Sequence, residues 1–183
     1  MDEEQILNRI INGDEEAFEL LYKAYSDKVF NTSLSYCKNR QDAEEVTQNV
    51  FVKIYEKAST FKNKSSLSTW IYRITVNTSL NFLKKKKRFS LFKNLQDQSE
   101  LQDFHHPGVI LEQKENAKLL FRVIDYLPDR QKTAFILSYI EGLPRQEVAD
   151  IMEISLKSVE SLLQRAKQNL RSRLKNNYPD RRK

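Results

Sequence analysis

The chain has 183 residues, 39% of them hydrophobic and 10% aromatic, enough apolar material to bury a core in one domain or two small ones. Three glycines and four prolines leave few places for tight turns and point to an all-α fold; one cysteine rules out an internal disulfide framework. The formal charge of +6 favours a polyanionic partner, although proteins that bind nothing negative carry a similar excess.

Helical periodicity starts at Gln5–Ile11, breaks at Asn12 and Gly13, and resumes behind Asp14, an N-cap candidate followed by Glu15 and Glu16. The second helix runs through Phe18, Leu21, Tyr22 and Tyr25 and continues past Val29, Phe30 and Leu34, where Cys37 reads as a buried, inert thiol. Asp42 is the expected cap of a third helix, Ala43–Lys57, with Val46, Val50, Ile54 and Phe51 on its buried stripe. A loop from Thr60 to Ser66 leads to a fourth helix over Leu67–Leu83, with Trp70, Ile71, Ile74, Leu80 and Leu83 apolar, ending in the basic run Lys84–Arg88.

From Phe89 the apolar pattern lapses, and Asn94–Gly108 is polar, locally acidic and closed by Pro107-Gly108. This composition predicts a flexible linker, residues 89–108, between helical domains at 1–88 and 109–183. His105 and His106 fall in it with no nearby cysteine, so no metal and no cofactor are expected. Periodicity returns at Val109, runs through Leu119, Leu120, Val123, Ile124 and Leu127, stops at Pro128, and restarts with Asp129 as cap through Phe135, Ile136 and Tyr139 to Gly142. The absence of a basic, apolar leader at Met1–Glu4 and of any transmembrane-length apolar run predicts a cytoplasmic protein.

Leu143–Leu170 reads as two helices around a three-residue turn. Val148, Ala149 and Met152 mark the first helix; Glu153, Ile154 and Ser155 make the turn; Leu156, Val159, Leu162, Leu163, Ala166 and Leu170 repeat along the second. The opposite face carries Lys157, Ser158, Glu160, Ser161, Gln164, Arg165 and Gln168, a donor and acceptor set suited to base edges in a major groove. The same pattern also describes a solvated amphipathic helix in a bundle.

Three blocks narrow the choice. DAEEVTQNVFVKIY at Asp42–Tyr55, FKNKSSLSTWIYRITVNTSLNFL at Phe61–Leu83 and YLPDRQKTAFILSYIEGLPRQEVADIMEISLKSVESLLQRAK at Tyr126–Lys167 resemble, in order, spacing and total length, the bacterial sigma factors of the extracytoplasmic function (ECF) group of the sigma-70 family. The resemblance covers nearly the whole chain. It implies a region-2-like helical bundle and a region-4-like helix-turn-helix domain, with core RNA polymerase and promoter DNA as partners and an anti-sigma factor as regulator.

Carried over residue by residue, the resemblance places Asp42, Glu45, Gln48 and Asn49 against the clamp helices of the largest polymerase subunit, with Phe51 and Tyr55 as apolar anchors. Asn49 stands where many members have Glu. The same carboxylates also suit the helix dipole, worth about 0.3–1 kcal/mol each.

The second block resembles the element that melts the minus-ten region and captures an unpaired base. Phe61, Lys62, Asn63, Lys64, Ser65 and Asn77 fall at its pocket, Arg73, Asn81, Lys84 and Lys85 along the strand, and Trp70 or Tyr72 where a base would stack. Trp70, lone on an apolar stripe, reads first as core.

For the minus-thirty-five element, Lys157 and Ser158 would meet phosphates, and Glu160, Ser161, Gln164 and Arg165 would meet bases. A good pair contributes about 1–3 kcal/mol of discrimination. Glu160, unfavourable near phosphates, is expected either to accept from a cytosine amino group or to pair with Arg165 or Lys157. Glu153 occupies a turn position where relatives often have Gly, which implies some backbone strain or a different local angle.

A polymerase-independent helix-turn-helix regulator is the alternative; it would need a dimer to span two half-sites, and nothing resembles a coiled coil. An enzyme is the weaker expectation: the chain has no phosphate-cradling glycine loop and no nucleophile with a histidine partner.

Overall fold

Capping chemistry sets the helix boundaries in a computed structural model that describes residues 3–92 and 114–177. The chain divides into two compact units, Met1–Phe104 and His105–Lys183, and the described residues are helical with no strand. Most of the expected linker, including His105 and His106, lies outside the described residues.

In the first unit, α1 (Glu3–Ile11) buries Ile6, Leu7 and Ile10 and ends at Gly13, whose φ of 81° only glycine adopts without strain. Asp14 caps α2 (Glu15–Cys37) as expected, accepting from the Ala17 N–H at 3.1 Å, while Arg9 reaches its other oxygen at 2.7 Å. That ion pair and hydrogen bond hold the Asp14 carboxyl below the usual carboxylate range.

The cap of α3 (Arg40–Lys57) is Asn39, not Asp42: the Asn39 side chain accepts from the Asp42 N–H at 2.8 Å and donates to Asp42 Oδ2 at 2.7 Å. Asn39, bonded to both the backbone N–H and the carboxylate of Asp42, starts the helix three residues earlier than a cap at Asp42 would. Ser66 opens α4 (Leu67–Phe92), its Oγ accepting from the Thr69 N–H at 3.1 Å, and Glu3 Oε2 takes the Leu67 N–H at 2.8 Å. α4 continues beyond the expected Leu83, so the basic run is a helical surface rather than a frayed end.

The α2–α3–α4 interior departs from the expected apolar stripes. On α4, Ile74, Leu80 and Leu83 are only half-buried, whereas Ile71, Tyr72, Thr75, Val76, Thr78 and Ser79 are buried. Thr47, Thr75 and Ser79 satisfy their hydroxyls on the carbonyl four residues back, at 2.7–2.9 Å, so they cross the interior without an interhelical partner. Hydropathy hides such positions because the alcohol is polar in isolation.

Cys37 closes this core at the C-terminus of α2. Burial, helped by the Asp42 charge, pushes its thiol from the ordinary 9.0 up to about 12. Three pH units correspond to a roughly thousandfold smaller thiolate fraction. Alkylation by iodoacetamide at pH 8 is therefore expected to run at least a hundredfold slower in buffer than in 8 M urea; similar rates would show that Cys37 is accessible. Because the folded value is the raised one, the linked stability is complete below pH 9.0 and is lost as pH rises towards about 12.

In the second unit, α5 (Lys114–Ile124) buries Phe121, Val123 and Ile124. α6 (Asp129–Phe135) starts from Pro128 in the N-cap position, with Asp129 in its first turn instead of capping it. A π-turn, Ile136–Ile140, extends α6, with the Glu141 N–H bonded to the Ile136 carbonyl at 3.0 Å. Gly142, at φ 68°, ends that extension; α7 (Arg145–Met152) follows and packs on it, and α8 (Leu156–Asn177) packs on α6 and α7. Among the described residues no helix is long and apolar enough to cross a membrane.

Candidate functional site

Three exposed faces collect the candidate residues, two on the first unit and one on the second. On α3, Glu45, Gln48, Asn49 and Glu56 lie opposite buried Ala43, Val46, Val50 and Ile54. In the middle of that polar face sits Val52, 56% exposed, with Tyr55 beside it at 55%. Sequence reasoning missed Val52; the available signal was an apolar residue out of phase with the buried stripe.

Two expected members of this face have other work. Phe51 is only 4% exposed, its ring 4.6 Å from Tyr22 and edge-on to Phe18 at 6.3 Å, so it belongs to the core and offers little surface to a partner. Asp42, its side chain 14% exposed, is taken up by Asn39 and by Lys86 Nζ at 2.7 Å, an ion pair that ties the basic run of α4 to the start of α3.

The second face runs along α4. Trp70, Arg73, Asn77, Asn81 and Lys84 recur at spacings of three and four and lie opposite the buried Ile71–Ser79 set; Lys85 falls to one side. Trp70 is half-buried on this outward face rather than in the core, and its ring lies 5.4 Å from Phe61, the first residue of the loop. Tyr72 is buried and leaves the stacking position to Trp70. In the loop, Lys62, Asn63 and Lys64 are exposed, Phe61 and Ser65 half-buried, and Asn63 turns the chain at φ 53°, a conformation Asn tolerates better than most residues. The Ser66 cap and the Glu3 bond fix where this loop ends.

The third face belongs to the helix-turn-helix. The turn closes by bonds from the Ile154 N–H to the Ala149 carbonyl at 3.1 Å and from the Glu153 N–H to the Asp150 carbonyl at 3.4 Å, with Glu153 left-handed at φ 54°. Glu153→Gly is expected to raise the melting midpoint of this unit by about 2–5 °C, because relief of the left-handed strain outweighs the greater freedom of the unfolded chain. Calorimetry checks it, and an unchanged or lower midpoint would refute the strain.

Ser155 caps α8 by accepting from the Ser158 N–H at 3.2 Å, and its hydroxyl meets that of Ser158 at 2.8 Å. Val159, Leu163, Ala166 and Leu170 are buried; Lys157, Gln164, Arg165 and Gln168 are exposed on the far side, with Ser161 half-buried among them. Glu160 stands at the edge of this face and pairs with neither Lys157 nor Arg165: its Oε1 lies 3.6 Å from Nη1 of Arg145, the first residue of α7. The expectation had its partner on the same helix, whereas the packing of α7 on α8 brings one from the neighbouring helix.

Comparison with known proteins is decisive for the family. The Sigma-70 region 2 profile matches residues 21–89 and the Sigma-70, region 4 profile residues 117–170, so all the α3, loop and α4 candidates lie in the first and all the α8 candidates in the second. The ECF RNA polymerase sigma-E factor of Haemophilus influenzae is 30% identical over 182 residues, covering 95% of this chain and 96% of that protein. The chain belongs to the ECF sigma factors of the sigma-70 family.

Other sigma-factor relatives extend along most of the chain too. The sigma-E factor of Escherichia coli K12 is 29% identical over 92% of both chains, and the RNA polymerase sigma-H factor of Pseudomonas aeruginosa is 28% identical over 91% of this one and 90% of its own. Among solved structures, CnrH in complex with the cytosolic domain of CnrY matches at TM-score 0.66 and 18% identity, covering 95% and 97% of the two chains. The sigma factor RpoE bound to the anti-sigma factor NepR from Bartonella quintana matches at 0.67 and 19%, covering 87% and 98%. At these identities they speak for the fold of this sigma factor.

Proposed function

We propose that the three faces of this sigma factor divide promoter recognition among themselves. As a sigma factor the chain directs RNA polymerase to promoters and performs no chemistry of its own. The α3 face, with Glu45, Gln48 and Asn49 around Val52 and Tyr55, docks on core polymerase: charge complementarity orients the encounter and the two apolar side chains supply affinity. The 61–66 loop with Trp70, Arg73, Asn77, Asn81 and Lys84 holds the unpaired strand of the minus-ten element. Melting without ATP needs a single strand bound more tightly than the duplex, and an aromatic flanked by amides and cations provides that difference. The α8 face, from Lys157 through Ser161, Gln164 and Arg165, reads the minus-thirty-five duplex.

The observation that carries this reading is the full-length match to an ECF sigma factor, with both regional profiles in order on a chain whose exposed faces fall inside them. An anti-sigma factor is the expected regulator, supported by the two solved relatives, one bound to NepR and one to the cytosolic domain of CnrY. The place of action is the cytoplasm, alongside the polymerase.

The test is run-off transcription from a library of genomic fragments with purified core polymerase, with and without this protein. New start sites that need both components and share two spaced upstream motifs are the expected result. Sequence-specific binding of duplex DNA by the free protein, with no start site that depends on it, would instead favour a polymerase-independent regulator.

A further inference from the structure

Arg145 lies outside the set that sequence reasoning assembled, and the structure sets it between two neighbours. Its guanidinium faces the Glu160 carboxylate at 3.6 Å, and its charge contributes, after that of Lys167, to holding the Tyr139 hydroxyl below the ordinary phenol value. Lys167 Nζ lies 4.7 Å from the centre of the same ring. Tyr139 belongs to the π-turn, whose exit is fixed by the Leu143 N–H bond to the Leu137 carbonyl at 3.0 Å. Arg145 therefore starts α7 from a defined corner and reaches Glu160 on α8.

A carboxylate entering a major groove between two rows of phosphates is repelled unless a cation travels with it. A flexible Glu on an exposed helix also has several rotamers, and only some direct an oxygen towards a base edge. Arg145 answers both needs: its charge offsets that of the carboxylate, and its approach to Oε1 at 3.6 Å favours the rotamers that turn that oxygen towards α7, leaving Oε2 to accept a hydrogen bond.

We propose that Arg145 is a positioning residue for promoter specificity, holding the Glu160 carboxylate so that it accepts from the exocyclic amino group of a cytosine in the upstream element. This rests on the reading of α8 as the helix that meets duplex DNA. Arg145 acts through Glu160 and imposes a base preference at one position, whereas a plain phosphate contact would add affinity for every sequence alike.

The test uses holoenzyme assembled from core polymerase and the full chain on a promoter library randomised through the upstream element, with transcripts sequenced. Wild type is expected to prefer cytosine at one position by roughly tenfold, the discrimination typical of a well-made carboxylate–cytosine pair. Glu160→Ala should abolish that preference. Arg145→Ala should reduce it at the same position and no other, Arg145→Lys should restore part of it, and the double alanine variant should match Glu160→Ala alone in base preference. Melting midpoints within a few degrees of wild type separate these changes from misfolding.

If Arg145→Ala lowers all promoters equally and leaves the cytosine preference intact, Arg145 is a phosphate contact and the proposal fails. If wild-type holoenzyme shows promoter-dependent transcripts but no preference moves with Glu160, the pair does not read DNA and the proposal fails while the sigma reading stands. Absence of any start site that depends on the protein would remove the underlying reading itself.

Discussion

Val52→Glu combined with Tyr55→Ala is expected to weaken binding to core RNA polymerase by a hundredfold or more while keeping the helical fold and lowering its melting midpoint by only about 10 °C or less. Both side chains are more than half exposed, so neither change opens a cavity; Val52→Glu moves stability by about 0.5 kcal/mol or less, and Tyr55→Ala gives up an edge-on contact with Phe18 at 5.7 Å, about 0.5–1.5 kcal/mol. An apolar anchor at the centre of a protein interface costs about 2 kcal/mol or more when removed, and a carboxylate left facing the partner adds to that. Fluorescence anisotropy with labelled protein and purified core measures the loss. Unchanged affinity would move the docking surface away from α3.

Phe51→Ala supplies the contrast. Truncating its buried ring removes its contacts with Phe18 and Tyr22 and costs about 3–5 kcal/mol of stability, so any binding defect should follow unfolding of the first unit. Glu45→Arg is expected to act on the association rate and its salt dependence, as a charge at the rim of an interface does.

Leu137→Ala should have the largest effect on the second unit. Leu137 is fully buried where the π-turn meets the rest of the domain, and loss of its side chain leaves a cavity costing about 2–5 kcal/mol. For a unit of this size that lowers the midpoint by roughly 10–30 °C, a large share of the 5–15 kcal/mol that holds a small domain together. Calorimetry of the full chain should show one transition moved and the other in place. At the growth temperature, binding to core through the first unit should persist while dependence on the upstream element disappears. A shift of less than 3 °C would mean that the π-turn closes around the smaller side chain.

Most helices of this protein were legible in the sequence, and so was the resemblance that leads to its family. The α1–α2 break at Asn12-Gly13, the Asp14 cap, the 60–66 loop and the 153–155 turn all coincide with local chemistry that needs no tertiary partner: a glycine at positive φ, a side chain accepting from the first turn, a serine before a helix. The three sequence blocks lie within residues 21–89 and 117–170, the stretches that match the family.

What escaped was the direction of particular side chains. Trp70 reads as core because tryptophan usually is, yet on α4 Thr75, Thr78 and Ser79 share the inward face with Ile71, Tyr72 and Val76, so the buried face lies away from Trp70. Phe51 read both as stripe and as anchor, and only the approach of Phe18 and Tyr22 from α2 decides for the core. Asp42 looked available until α4 brought Lys86 to it across 44 positions of sequence.

The sequence by itself thus determined the helical class, most boundaries and the family, because capping, turn conformation and periodicity act within a few residues of each other. Only the tertiary structure decided which residues face outwards and which charges are already paired. Val52, Phe51, Asp42 and the Arg145–Glu160 pair owe their environments to helices that pack side by side, and no local pattern records where a neighbouring helix will lie.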